Sequence, residues 1–348
     1  MSESLSIVQS VDRALYALLS DERHRWQAVS THFSIVFDEL ETMVLAGGKR
    51  LRPQFLHWGW VAAGGDPSDA QHHNYGAAIE LLHACALFHD DVIDDSSLRR
   101  GHLTTQRRLA ELHLEDGLQG ESRRFGEGSA ILIGDVAFSL AHQLVIELPA
   151  SARHYWNELC LEMNMGQYLD TVGSAHREYS VSHALSVARF KTAKYTIERP
   201  LHMGAVAADE GRGANLLSAL SSYGLPLGIA FQLRDDMLGA FGDESITGKP
   251  VGGDFREGKT TALLGYAMSV ATTAQMNVLE KVGSFDLVDD DVKDIQQVLV
   301  DTGAVRHVES LITQQHKDAV ESLQDVNMDS SARDALIELA LHVTQRTV

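Results

Sequence analysis

Apolar residues recur at intervals of three and four positions along most of the chain. The stretches from Ala77 to Phe88 and from Leu216 to Leu227 follow this spacing, whereas the strict alternation of half-buried strands is hard to find. Only 6 prolines interrupt the 348 residues, so long stretches contain no residue that breaks a helix. The pattern predicts an all-α fold in which helices pack as a bundle.

Short polar and glycine-rich segments divide this pattern into its predicted helices. They lie at residues 63–69, 114–129, 208–215 and 242–258. None is long or simple enough in composition to be an interdomain linker, and no repeat of solenoid period is present. We therefore predict one domain over residues 1–348, whose helices after residue 265 are amphipathic but carry no recognisable chemistry.

The charge balance limits the partners of the protein. With 29 basic and 48 acidic residues, the net charge is −19, which argues against a nucleic-acid-binding surface and against adsorption to anionic lipid. Phosphate groups would have to be bound by local cations or by metal. The two cysteines, Cys85 and Cys160, lie in apolar helical patterns, so we expect reduced, buried thiols and a cytoplasmic protein.

No targeting or membrane-spanning element is predicted. The N-terminus lacks a basic segment followed by an apolar run, which argues against a secretory signal. The longest apolar stretch, residues 129–150, is interrupted by Asp135, His142, Gln143 and Glu147. Because such groups are costly in a bilayer, we expect a core helix there and no integral membrane segment.

Four aspartates lie within six positions at the end of one predicted helix, residues 76–95. Asp90 and Asp94 stand one turn apart, about 6 Å along the axis, and Asp91 and Asp95 form a neighbouring row. Carboxylates at this spacing repel one another and call for a cation. Mg²⁺ suits them because it prefers oxygen ligands. The alternative is a solvated acidic helix end neutralised by nearby arginines.

A second acidic pair favours the metal interpretation. Asp235 and Asp236 follow an apolar helix, and Gln232 precedes them on the same face. Two acidic helix faces with grouped cations suit a metal-bound polyphosphate, because arginine forks and lysine charges both bind phosphate oxygens. The grouped cations are Lys49, Arg50, Arg52, Arg99, Arg100, Lys191, Lys249 and Lys259.

Residues 253–260, GDFREGKT, match the Walker A pattern letter for letter. That motif depends on a preceding buried strand and a compact glycine loop. Here TGKPVG precedes the match and three charged residues fill the loop. A P-loop is therefore not expected, although Lys259 can still contact phosphate.

The ordered motifs of this sequence closely resemble those of the trans-prenyl diphosphate synthases, the polyprenyl synthetase family, and in particular its geranylgeranyl diphosphate synthases. The likeness covers about residues 40–265, in GGKRLRP, ELLHACALFHDDVIDDSSLRRG, ILIGDVAF, GQYLD, KTAKYT, FQLRDD, GKP and EGK. It implies an all-α fold around a deep central cavity and a homodimer. The implied reaction is the Mg²⁺-dependent head-to-tail condensation of isopentenyl diphosphate with an allylic diphosphate, which is dimethylallyl, geranyl or farnesyl diphosphate.

The resemblance also implies roles for individual residues. The metal ligands would be Asp90, Asp94, Asp235 and Asp236, with Asp91 in support, and would bind three Mg²⁺ ions, or Mn²⁺ in their place. The allylic diphosphate and its reactive carbon would be surrounded by Arg99, Lys191, Thr192, Gln232, Lys249 and Lys259, with Lys191, Thr192 and Gln232 as catalytic residues. Isopentenyl diphosphate would be held by Lys49, Arg52, His83, Arg100 and the backbone of Gly48, although His83 could instead be a satisfied core histidine.

Two positions depart from the family pattern. Gly239 stands where the second acidic motif has a third aspartate, and Asp243, one turn further, is a candidate to replace it. Leu103 stands where the family has a proline, which we expect to matter for structure only.

The implied reaction begins by ionising the allylic diphosphate, so the charge of the leaving group must be neutralised in a site with little water. No side-chain general base is expected, because the departing diphosphate can take the proton. The product length should depend on the residues beneath the first acidic cluster. Cys85 and Ala86 are small, which predicts a product of geranylgeranyl length or longer, with Leu82, about 12 Å deeper, as one candidate floor. Ordinary helix packing is the alternative explanation of these small residues.

Two other functions remain open from the sequence. A terpene cyclase on the same scaffold would also ionise a prenyl diphosphate, but it would leave Lys49, Arg52 and Arg100 without a role. A non-catalytic subunit of a heteromeric synthase typically loses acidic ligands, whereas this chain lacks only the third aspartate of one cluster.

Overall fold

The computed structural model describes residues 2–242, 252–284 and 286–345, and the regular structure of these residues is almost entirely helical. The all-α prediction is confirmed. The first half contains α1 (Ser2–Gln27), a 3-10 turn (Thr31–Phe33), α2 (Ser34–Leu45), α3 (Leu51–Ala62), α4 (Gln71–Ile93), α5 (Thr105–Glu115), α6 (Ser122–Leu144) and α7 (Ala150–His176). The second half contains α8 (Val181–Val187), a π-helix (Ala188–Glu198), α9 (Arg199–Ala208), α10 (Glu210–Phe241), α11 (Gly253–Glu257), α12 (Ala262–Val270), α13 (Thr273–Leu279), α14 (Asp289–Asp301), α15 (Ala304–Glu321) and α16 (Ser330–Thr344).

The boundaries of these helices correct two of the predicted breaks. The break expected over residues 114–129 is confined to residues 116–121. The one expected over residues 208–215 shrinks to Asp209 between α9 and α10. The Asp209 side chain accepts a hydrogen bond of 2.8 Å from the amide of Arg212, so a single residue both ends one helix and caps the next.

A short antiparallel hairpin, which the sequence did not predict, follows α4. Its strands are β1 (Leu98–Arg99) and β2 (His102–Leu103), and they pair directly. The two connecting residues, Arg100 and Gly101, have φ of 52° and 79°. A type I′ turn requires two residues with left-handed conformation. An arginine is uncommon at the first of these positions, so the turn could not be recognised from the sequence. Arg99 and Arg100 of this hairpin both line the central cavity.

The π-helix lies between α7 and α10, and glycines allow its backbone to approach both helices. A Cβ atom at Gly166 of α7 would lie 2.2 Å from the amide nitrogen of Lys191, and one at Gly228 of α10 would lie 2.3 Å from Cα of Ala193. Either contact would force the backbones apart. The three helices therefore form a closely packed unit around the KTAKYT motif.

Helix α10 connects the two groups of buried apolar side chains. One group joins α1–α7, the π-helix, α9 and α16, and the other joins α8 and α11–α14, while α10 and α15 contribute to both. Among the described helices, α10 alone is long and apolar enough to cross a membrane, and 50% of its most apolar window is buried in the protein. It also brings Gln232 and Asp235 to the central cavity, as expected of a core helix.

Candidate active site

A cavity of about 1700 Å³ is enclosed by the loop before α3 and by α4, the hairpin, α6, α7, the π-helix, α10 and α11. It brings together every predicted site residue that the structure describes, with the exception of Asp91. Lys249 and Asp243 lie outside the described residues. Residues predicted from separate motifs therefore share one site.

Asp90 and Asp94 form the first carboxylate wall, at the end of α4. The helix ends at Ile93, and the amide of Asp94 still donates to the carbonyl of Asp90 at 2.8 Å, so the two residues keep the one-turn spacing that was predicted. Burial and the neighbouring Asp90 raise the pKa of Asp94 to about 7. Burial also acts on Asp90, but Lys191, Lys259 and Arg99 outweigh it and lower the pKa of that carboxyl.

Asp91 lies behind this wall and does not line the cavity. Its side chain is 1% exposed and accepts hydrogen bonds from the Arg99 guanidinium at 2.9 Å and 2.6 Å. The expected row of Asp91 and Asp95 does not form, because Asp95 lies beyond the helix with φ of 51° and pairs with Arg107 at 2.8 Å. Asp91 thus holds Arg99 at the edge of the site.

Asp235 and Asp236 of α10 form the second carboxylate wall. The Gln232 amide donates to Oδ1 of Asp236 at 2.8 Å, and the Thr192 hydroxyl donates to the Gln232 carbonyl oxygen. Burial raises the pKa of Asp236 to about 8, and the nearby charges of Asp254 and Asp235 contribute in the same direction. The predicted catalytic pair, Thr192 and Gln232, is therefore a connected chain that ends on this wall.

Two lysines cross-link the carboxylates. Nζ of Lys191 lies 2.7 Å from Asp170 and 3.4 Å from Asp90. Nζ of Lys259 lies 3.7 Å from Asp94 and 3.3 Å from Asp254. Since Asp254 sits beside the second wall, Lys259 connects both walls.

A second group of cations lines the cavity near the loop before α3. Its predicted cations are Lys49, Arg52 and Arg100, and they line the cavity together with His83 and Gly48. Cζ of Arg52 lies 4.5 Å above the Tyr195 ring, which holds the guanidinium by a cation–π contact. Gly48 has φ of 146°, a conformation that favours glycine.

The sequence grouped Arg50 with these cations, but the structure gives it an anchoring role. Its guanidinium contacts Glu80 at 2.7 Å and Asp12 at 2.7 Å, and it donates to the carbonyl of Val44 at 2.6 Å. Arg50 itself takes φ of 45°. Its ion pairs fix the loop that carries Gly48 and Lys49.

His83 is held as a neutral imidazole. Burial together with Arg52, Arg99 and Arg100 lowers its pKa well below the ordinary value. Its buried Nδ1 has no hydrogen-bond partner among the described residues. The His83 side chain also lines the cavity.

Three acidic residues of the site were missed. Asp170 ends the GQYLD motif, which was the available sequence signal, and only the structure shows that it pairs with Lys191. Asp254 and Glu257 belong to the stretch that was dismissed as a false Walker A match. They lie on α11, contact Lys259 and line the same cavity. Residues 253–257 of this stretch form α11, and the segment before it, residues 243–251, lies outside the described residues.

The apolar part of the cavity lies along α4 beneath the first wall. Leu82, Cys85 and Ala86 all line it, together with Phe138 of α6 and Met163 of α7. Burial raises the pKa of the Cys85 thiol to about 12, so this group is an unreactive wall residue.

The two walls suit a hard divalent cation. Their donors are carboxylate oxygens, the class of ligand that Mg²⁺ prefers. Burial, with neighbouring carboxylates acting in the same direction, raises the pKa values of Asp94 and Asp236, so their negative charges are costly without a nearby cation. Divalent ions would supply the missing positive charge.

The chain is similar to known enzymes over nearly all of its length. The family described as Polyprenyl synthetase matches residues 34–300. A short chain isoprenyl diphosphate synthase of Methanothermobacter thermautotrophicus is 32% identical over 337 residues, which cover 95% of this chain and 96% of the relative. Geranylfarnesyl diphosphate synthase of Aeropyrum pernix is 32% identical over 277 residues, which cover 77% of this chain and 80% of that relative.

The fold is similar to that of solved prenyl synthases. A geranylgeranyl pyrophosphate synthase from Corynebacterium glutamicum, complexed with isoprenyl diphosphate and magnesium, superimposes with a TM-score of 0.92 and 36% identity, covering 98% of this chain and 99% of that one. The family match spans both carboxylate walls and both groups of cations. The chain therefore belongs to the polyprenyl synthetase family, whose members are prenyltransferases that elongate prenyl diphosphates.

Proposed function

We propose that this protein condenses isopentenyl diphosphate with an allylic diphosphate, head to tail, and releases a product of geranylgeranyl length or longer. One observation carries the proposal: a single cavity contains two carboxylate walls and two separate groups of cations. Two groups of cations suit two diphosphates, since each substrate brings its own negative charge.

The allylic diphosphate is assigned to the cations beside the carboxylate walls, Arg99, Lys191 and Lys259. Lys249, which belongs to the GKP motif, is assigned to the same diphosphate on the basis of that motif. Mg²⁺, when bound, neutralises the leaving diphosphate and so favours its ionisation. The ligands proposed for three ions, with Mn²⁺ as a substitute, are Asp90, Asp94, Asp235 and Asp236, while Asp91 supports them by orienting Arg99.

The isopentenyl diphosphate is assigned to the second group, Lys49, Arg52, His83 and Arg100, with the backbone of Gly48. Of the proposed catalytic residues, Thr192 and Gln232 have oxygen atoms that can stabilise positive charge on the allylic carbon, whereas the Lys191 ammonium binds the leaving diphosphate. No side chain is needed as a general base, because the released diphosphate accepts the proton. The residues of this chain bind and orient the two substrates, and they exclude water from the site.

The length of the product is assigned to the apolar part of the cavity. Cys85 and Ala86 leave space beneath the first wall, and Leu82 lies further along α4. A growing chain can therefore pass the first wall before it meets larger side chains such as Phe138 or Met163.

We propose a homodimer from the exposed apolar side chains of two consecutive helices, α6 and α7. These side chains are Phe125, Ile131 and Leu132 of α6 and Leu161, Met165 and Tyr168 of α7. Large apolar side chains exposed together on a helix face mark an interaction site. The protein is further proposed to be one domain and cytoplasmic, with Cys85 and Cys160 as free thiols.

The test is an assay of the purified protein with Mg²⁺, isopentenyl diphosphate and each allylic primer in turn, with products identified by mass spectrometry. We expect elongation with Mg²⁺ and none with a chelator. Arg100→Gln should raise KM for isopentenyl diphosphate by about tenfold or more and leave KM for the primer nearly unchanged, because one charge-assisted contact is lost. Arg25→Gln, at an exposed arginine, is the matched control.

The same assay separates the alternatives. A terpene cyclase would consume the allylic diphosphate alone, and a non-catalytic subunit would be inactive without a second protein. Either outcome would contradict the proposed function.

A further inference from the structure

We infer that three histidines, His57, His72 and His73, form a Zn²⁺ site that is separate from the carboxylate walls. One ring nitrogen from each histidine can be chosen so that the three atoms lie within 4.8 Å of one another. His73 lies near the start of α4 and Asp90 near its end, about 25 Å apart along the helix. None of these three histidines lines the central cavity, so the inference does not rest on the proposed function.

Two consecutive helices bring the three rings together. His57 lies on α3, and His72 and His73 lie in the first turn of α4, after the loop of residues 63–70. Adjacent residues of a helix point about 100° apart, yet the rings of His72 and His73 have centroids only 4.0 Å apart. The ring centroid of His57 lies 4.8 Å from that of His72. The fold thus gathers three imidazoles from both sides of this loop.

The protonation state of the rings suits metal ligands. Burial lowers the pKa of all three histidines, to about 3 for His57 and to about 4 for His72. The imidazoles are therefore neutral near pH 7, which is the form that binds metal. The outer nitrogens of the buried pair, Nε2 of His57 and Nδ1 of His72, have no hydrogen-bond partner among the described residues. The proton shared between the rings can shift to one of these atoms and free both inner nitrogens for an ion.

The spacing of the inner nitrogens requires little movement to accept an ion. Nδ1 of His57 lies 2.8 Å from Nε2 of His72. Zn²⁺ binds imidazole nitrogens at about 2.0–2.1 Å, so tetrahedral geometry places two of them about 3.3 Å apart. The pair would open by about 0.5 Å, and the half-buried His73 would turn toward it. Zn²⁺ suits the site because imidazole is among its usual ligands, whereas Mg²⁺ prefers oxygen.

A small cavity beside the cluster gives an ion access from solvent. Its volume is about 380 Å³, and His57 and His73 line it together with the exposed Ser68. It leaves room for a water molecule as the fourth ligand, which completes the coordination of Zn²⁺ where the protein supplies three ligands. The ring of Trp60 stacks on His72, with centroids 5.3 Å apart, and holds that imidazole in place.

The test is a calorimetric titration of Zn²⁺ into the metal-free, full-length protein without an added histidine tag. Excess Mg²⁺ is present to occupy the carboxylate walls, and we expect one Zn²⁺ per chain. His73→Gln removes a ligand at a half-buried position and should weaken Zn²⁺ affinity by about 100-fold. His176→Gln, at an exposed histidine of α7, is the matched control and should keep the wild-type affinity. Thermal unfolding confirms that each variant is folded, and Zn²⁺ should raise the Tm of the wild type and the control clearly more than that of His73→Gln.

X-ray absorption at the zinc edge counts the imidazole ligands in the wild type, so this measurement does not depend on how a variant folds. We expect three imidazoles, and coordination by fewer would overturn the inference. A wild type that binds no Zn²⁺ in excess Mg²⁺ would also overturn it, as would a folded His73→Gln protein with wild-type affinity. Because no measurement here uses elongation activity, failure of the proposed function would leave the result unchanged.

Discussion

Neighbouring aspartates of one motif differ in role because their surroundings differ. Asp90 faces the cavity beside Lys191, whereas Asp91, the next residue, is buried against Arg99. Asp94 faces the cavity as well, but burial and Asp90 raise its pKa to about 7. The count of aspartates indicates a metal site, and the burial of each one decides whether it can reach the ion.

Cys85→Phe tests the product length at the scale of one side chain. Cys85 lines the cavity about 7.5 Å along α4 from Asp90, so a phenyl ring there should block the growing chain and shorten the main product by at least one isoprene unit. Product chromatography of the variant checks this, with the nearly isosteric Cys85→Ser as control. An unchanged product length in Cys85→Phe would reject this wall as the determinant.

At the scale of elements, the site depends on how closely helices can approach. The KTAKYT segment lies in a π-helix, a winding that was not predicted from the sequence. Such winding is common at functional sites and places Lys191 and Thr192 toward the cavity. Gly166 and Gly228 make room for it on both sides, and a periodic pattern of apolar residues cannot reveal such contacts.

The apolar faces of α6 and α7 are exposed and are not covered by the part of the chain that the structure describes. Leu132 of α6 is 65% exposed, and we expect Leu132→Glu to weaken the proposed dimer by roughly 100-fold or more, because a charge would be buried in an apolar interface. Sedimentation velocity measures the change. Val300→Glu, at a residue of α14 that is 50% exposed, is the control and should remain dimeric. A monomeric wild type would contradict the proposal directly.

At the scale of the whole molecule, buried histidines are expected to lower the free energy of unfolding in acid. Burial and His72 lower the pKa of His57 to about 3, while burial and His73 lower that of His72 to about 4. Nδ1 of His57 lies 2.8 Å from Nε2 of His72, so the neutral rings form a hydrogen-bonded pair. In the unfolded chain, both imidazoles take up protons near pH 6.5.

The free energy of unfolding should therefore fall as the pH drops from about 6.5 toward 4, because the unfolded state then binds more protons than the folded state. For His72 alone the loss is about 2 kcal/mol at pH 5. Denaturant unfolding between pH 7.5 and 5 measures it, and His72→Gln should show a shallower decline. Equal slopes for variant and wild type would contradict this origin.

Much of the molecule was accessible from the sequence because its signals are local. Helical spacing identified the all-α class, and paired aspartates on predicted helix faces identified both walls with the correct spacing of Asp90 and Asp94. The predicted length of the break before α10 was wrong, since Asp209 alone separates α9 from α10 and caps α10. The Arg100–Gly101 hairpin was missed because its turn uses an uncommon residue.

The sequence alone determined which residue types carry the chemistry: oxygen ligands on two helices and cations in compact groups, recognisable because motif order and spacing are properties of the chain. Only the tertiary structure decided which of them meet. In the tertiary structure, Asp91 pairs with Arg99 and Arg50 pairs with Glu80. Asp170 contacts Lys191, and Asp254 lies beside Gly239. The physical reason is that these contacts join elements distant along the chain, and their geometry is set by helix packing and burial, which no local pattern encodes.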